Sequence, residues 1–152
     1  VKLTGHFHFE HFRDGAKLDD RDFSNLIVNG GFAEVAGFIV FGSTAPFTYI
    51  AIGTDTQSAA TTDISLYAEL TTGGAARALA TASRVTTDVA DDTAQLVKTF
   101  TFTTSSSYDI SEAAIFNAVT TSSGTMLCRQ TFTPITVVSA DTLQVTYRLD
   151  ID

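Results

Sequence analysis

The residues best equipped for chemistry come early, in His6-Phe7-His8-Phe9-Glu10-His11. In an extended strand, His6, His8 and Glu10 project from one face, spaced by about 7 Å. Two imidazoles and a carboxylate are a ligand set for Zn, Ni, Mn or Fe. A His-x-His pair of this kind also occurs in metal-dependent cupins, but the rest of that pattern is missing. His11 is the only other histidine, so no distant strand can complete a three-histidine site. A solvated strand face beside inward-packing aromatics explains the same residues, and no metal or other cofactor is expected. Three clustered histidines are also a possible source of pH sensitivity in this hairpin, a role less expected than a solvated face.

Other chemistries find less support. Ser and Thr abound, yet no Gly-x-Ser-x-Gly elbow is present. Cys128, in Met126-Leu127-Cys128-Arg129-Gln130, is a nucleophile only if a histidine approaches it; a small buried apolar thiol is the commoner role. Asp19, Asp20 and Asp22 lack the spacing of a Ca²⁺ loop. Asn29-Gly30-Gly31 and Thr72-Gly73-Gly74 have no following Lys-Ser/Thr, so they read as turns rather than phosphate loops. Glu112 lies in the apolar run Ile110–Phe116; if buried it needs a cationic partner, with Arg77, Arg84 and Arg129 as candidates. No catalytic constellation emerges, and an enzyme is not expected.

The elements that carry these residues read as β structure. Thr, β-branched and at home on a half-exposed pleated surface, is the commonest polar residue. Leu3 to Phe12 alternates, Asp14-Gly15 is a tight-turn signal, and Lys17 to Phe23 can return as a partner strand. Residues 1–24 are therefore expected to form a β-hairpin or arm, and residues 25–152 a β-sandwich domain. Phe7, Phe9, Phe12 and Phe23 exceed what a two-stranded hairpin can bury alone, so they are expected to contact another subunit or a shell surface. Phe32, Val35, Ala36 and Ile39 recur at helical spacing and predict one short helix within 24–41. From Pro46 onward, strands are expected over 47–53, 75–87, 93–104, 108–118, 124–132 and 142–151, with a short strand or turn at 65–70. Turn signals separate them, Asp91-Asp92 among them. The fold class is all-β, mainly an antiparallel sandwich or barrel-like fold.

Composition narrows the function classes. The chain has 152 residues, a net charge of −8 and one cysteine. That acidity, with only three lysines, argues against nucleic-acid binding and against an anionic membrane surface. No apolar run reaches the ~18 residues of a membrane helix. The opening Val1–His6 has no apolar signal core, and no cysteine pair exists; both fit assembly in a reducing cytoplasm.

The stretches Tyr49-Ile50-Ala51-Ile52-Gly53-Thr54, Ala59–Leu66, Ile110–Asn117, Gly124–Phe132 and Asp141–Tyr147 give residues 47–149 a family look. Together with the Phe12-Arg13-Asp14-Gly15 hairpin, they resemble small structural proteins of tailed bacteriophages, of the decoration (cement) or tail-associated type. The resemblance implies a virion protein assembled in the host cytoplasm, with no catalytic residues. It implies contacts with the major capsid protein or neighbouring virion subunits, and a homo-oligomer, a trimer or dimer. A capsid decoration role is the first expectation. A tail or baseplate component presenting loops 54–63 and 104–107 to a host glycan is the alternative, and a metal-dependent enzyme built on His6, His8 and Glu10 ranks third.

Overall fold

The computed structural model describes residues 2–42 and 45–151. Alternating apolar residues drive the chain into two five-stranded antiparallel sheets that face each other. In chain order the elements are β1 (Leu3–Arg13), β2 (Ala16–Ser24), β3 (Leu26–Ile27), α1 (Asn29–Phe41), β4 (Tyr49–Gly53), β5 (Ala78–Leu79), β6 (Thr81–Val85), β7 (Thr93–Thr101), β8 (Tyr108–Phe116), β9 (Met126–Val137) and β10 (Thr142–Ile151). The first sheet runs β2-β1-β10-β7-β6 and the second β3-β9-β8-β4-β5. The fold is an all-β sandwich with one short helix, as the alternation predicts.

The hairpin turn forms where expected. Asp14 and Gly15 both take positive φ, 49° and 78°, the backbone that a two-residue turn between twisted strands requires. The expected hairpin forms, and it is built into the first sheet rather than standing off as an arm. β1 lies inside the first sheet, paired with β2 on one side and with β10 along Leu3–Phe12 on the other. Residues 1–24 and 25–152 are therefore not two units over the described residues. The physical reason is the clean alternation of β10, whose open edge satisfies the backbone of β1 and whose inward Val145 and Tyr147 meet Phe9 and Phe7.

The aromatics follow this correction. Phe7 and Phe9 are fully buried in the chain's own core. Phe9 packs against Phe132 of the second sheet at 4.6 Å between ring centroids, and half-buried Phe23 stacks on the same ring at 5.0 Å. Phe12 is half-buried, with Lys17 over its ring. The expected contact residues are thus chiefly core residues, because the opposing sheet supplies the apolar partner that an isolated hairpin lacks.

Two further expectations change. The run 75–87 is not one strand: Ala78–Leu79 pairs with β4 in the second sheet, and Thr81–Val85 pairs with β7 in the first. The chain changes sheets at Ala80, whose N–H donates to the Thr48 carbonyl. Residues 65–70 form a loop with a single bridge, Glu69 to Gly53. β9 is longer than expected and runs through exposed Pro134, where the edge opposite β8 has no strand partner and a missing N–H costs nothing.

Loop 54–77 covers the outer face of the second sheet. Leu66 from this loop joins Val28, Ala51, Ala114, Phe116 and Met126 in a second, smaller core. The second sheet is therefore buried on both faces, whereas the outer face of the first carries His6, His8 and Glu10.

Candidate functional site

The histidines divide between the two faces of β1. His6, His8 and Glu10 point outward and line one open hollow of about 480 Å³. His11 points inward and is buried. Cross-strand register, not spacing along β1, decides what meets His8. It lies opposite Asp22, and Glu10 lies opposite Asp20. The His8 ring nitrogens are 3.0 Å from Asp22, 3.3 Å from Asp20 and 3.6 Å from Glu10. One ligand atom each from His8, Asp20 and Asp22 lies within 4.8 Å of the others. The set that could hold a divalent cation is therefore His8, Asp20 and Asp22, rather than His6, His8 and Glu10. Lys17 already neutralises much of this cluster: its ammonium is 2.5 Å from Glu10 and 2.8 Å from Asp20, and both contacts push its pKa up to about 12.

His11 meets a different partner. Its Nε2 is 2.8 Å from Asp141, which also accepts two hydrogen bonds from Arg13 and one from the Val138 amide. The Arg13 guanidinium is the main reason that the Asp141 carboxyl stays well below the usual carboxylate range. This cluster ties the β9–β10 turn to β1 and borders none of the polar hollow around His8.

The outer face of the second sheet holds the densest ionic network. Arg129 donates from Nε and Nη2 to Glu112 at 3.0 and 2.8 Å, and from Nη1 to Asp63 at 3.1 Å. Glu112 also accepts the amides of Tyr67 and Ala68, and Asp63 accepts the Ala60 amide and the Tyr67 hydroxyl. The Tyr67 ring lies over the Arg129 guanidinium. Of the three arginines considered for Glu112, Arg129 is the partner. Arg77 instead pairs with Glu69 and donates to the carbonyls of Ala118, Thr120 and Ser123. These groups spend their hydrogen-bonding capacity on pinning loop 54–77, and so residues 54–63 are anchored at Ala60 and Asp63. Ser105, Ser106 and Ser107 remain exposed.

Cys128 is fully buried, and burial pushes its thiol up to about 12. No histidine is paired with it; its polar neighbours are Tyr147 and Asn25. At neutral pH it stays a thiol and is not a nucleophile.

Among the described residues, the longest run of exposed large apolar side chains belongs to α1. Gly31 approaches β9 so closely that a Cβ there would lie 2.3 Å from the Leu127 carbonyl oxygen. That contact seats the start of the helix, and Val35 packs against the core. The helix stops at Gly42, which takes a left-handed φ of 67°. Before that stop, Ile39, Val40 and Phe41 are 82%, 72% and 78% exposed, and Phe32 is half exposed. The signal for this surface is present in the sequence: Glu34 is the only charged residue in the thirteen of α1, so the helix has no polar face to turn toward water. Comparison with protein-family models, with curated proteins and with solved structures found no match.

Proposed function

We propose that this chain is a structural subunit of a tailed-phage virion, a capsid decoration protein that works by binding and performs no bond chemistry. The single observation that carries the reading is the exposed Ile39-Val40-Phe41 end of α1, on a sandwich whose buried carboxylates, Glu112, Asp63 and Asp141, are committed to internal contacts. A run of large apolar side chains at a helix end is costly in water and gains free energy on burial against another subunit. Partners are the major capsid protein or neighbouring virion subunits, including further copies of this chain as a dimer or trimer. Many copies, each with a modest apolar contact, would hold a shell through multivalency. The resemblance to small phage structural proteins supports the same reading.

Immunogold labelling of a phage that encodes this chain tests the assignment. Label on heads is expected. Label confined to tails would transfer the chain to the tail or baseplate, and absence of label from intact particles would remove the virion reading.

A further inference from the structure

The outward face of the β1–β2 hairpin carries more negative charge than its own cations balance. His8 lies opposite Asp22 and Glu10 opposite Asp20, and His8, Glu10 and Asp22 open onto the hollow of about 480 Å³. Lys17 contacts two of these three carboxylates and takes one oxygen from each, Oε2 of Glu10 and Oδ2 of Asp20. The other oxygens, Oε1 of Glu10 and Oδ1 of Asp20, lie 3.6 and 3.3 Å from His8 Nε2. Asp22 Oδ1 lies 3.0 Å from Nδ1, the other ring nitrogen. Arg21 of β2 pairs with Asp19 instead, and Arg148 of β10 donates to Gln95.

The imidazole separates this cluster from an ordinary acidic patch. A neutral imidazole carries one N–H, so it donates to a carboxylate from one nitrogen only. The other nitrogen then presents a lone pair to carboxylate oxygens that are themselves acceptors. That contact is unfavourable unless a cation lies between them, either a proton on the ring or a metal ion. With His8 neutral, three carboxylates and one ammonium leave two negative charges. A divalent ion balances both, whereas a proton balances one.

We propose that His8, Asp20 and Asp22 bind one divalent transition-metal ion. One ligand atom from each already lies within 4.8 Å of the others, and Glu10 adds negative charge beside them. An imidazole with carboxylates suits Zn²⁺, whereas Ca²⁺ and Mg²⁺ prefer oxygen ligands alone. The ligands come from two paired strands, so the ion ties β2, at the edge of the first sheet, to β1. An ion that binds only the folded hairpin also stabilises it. The site stands apart from the proposed virion role.

Titration of the full chain with Zn²⁺, after purification without a histidine tag and removal of metal by chelator, tests the proposal. Calorimetry is expected to show one saturable equivalent, and NMR to show the His8 ring resonances shifting while those of buried His11 stay in place. His8→Gln or Asp22→Asn is expected to weaken Zn²⁺ binding by about tenfold or more, and Ca²⁺ to bind wild type roughly tenfold more weakly than Zn²⁺. His6→Gln, on the same face, should leave the affinity unchanged, and Lys17→Met, which removes the competing ammonium, should raise it. The proposal is overturned if no saturable equivalent appears, or if the His8 resonances do not move, which would leave a proton as the only cation there. It is also overturned if His8→Gln binds Zn²⁺ as well as wild type, or if Ca²⁺ binds as tightly. The wild-type titration and the His8 resonances decide by themselves should a variant fail to fold.

Discussion

Arg129 shows how one side chain organises a layer. Its guanidinium joins Glu112 of β8 to Asp63 of loop 54–77, and all three are buried. Removing one partner from such a network strands the others without water. Arg129→Met is therefore expected to lose about 3–5 kcal/mol in urea unfolding; a loss below ~1 kcal/mol would mean that water reaches Glu112 and compensates. Asp141 makes the matching case for pH. Its folded-state carboxyl lies below the ordinary 3.8 because Arg13 holds the charged form. The stabilisation is thus fully present above pH ~4 and disappears as pH falls toward the folded-state value. Asp141→Asn should lower stability at pH 7 and narrow the gap to wild type in strong acid, read from unfolding midpoints at several pH values. An unchanged gap across that range would remove Asp141 as the source. A partner for Glu112 was legible from its apolar setting, but the choice among three arginines was not. That choice depends on β8–β9 register, which places Arg129 opposite Ala114 and its side chain beside Glu112.

At the scale of elements, β1 carries the main lesson. Its alternation and the Asp14-Gly15 turn were legible because both are local. Its pairing with β10 was not, since that contact joins residues about 140 positions apart, as in Leu3 opposite Ile151. The difference changes the meaning of Phe9, from a docking residue to a core residue beside Phe23 and Phe132. Phe9→Ala is accordingly expected to cost about 3–5 kcal/mol in stability, measured by urea denaturation; a fully stable variant would contradict the core assignment. The histidine cluster repeats the point. Spacing put His6, His8 and Glu10 on one face correctly, but the strand partner supplied Asp20 and Asp22, which the linear pattern could not place. The helix was legible from its period, while its exposure was not. A stripe of apolar residues says that burial is favourable, but not whether the partner is the same chain.

For the whole molecule, among the described residues, the end of α1 carries the longest run of exposed large apolar side chains, Ile39-Val40-Phe41. Among the described residues no helix is long and apolar enough to cross a membrane. Net charge of −8 keeps copies apart until a specific contact outweighs the repulsion. Substitutions at Ile39 and Phe41 remove little packing within the chain, so their effect on folding should stay within about 0.5 kcal/mol. The direct measurement is co-sedimentation of purified chain with phage heads that lack it, comparing wild type with the Ile39→Asp, Phe41→Asp double variant. Wild type should pellet with the heads to a saturating ratio, and the variant, with unchanged circular dichroism, should stay in the supernatant. Equal pelleting of both proteins, or no pelleting of wild type, would contradict the proposal that this chain works by docking its helix onto virion subunits.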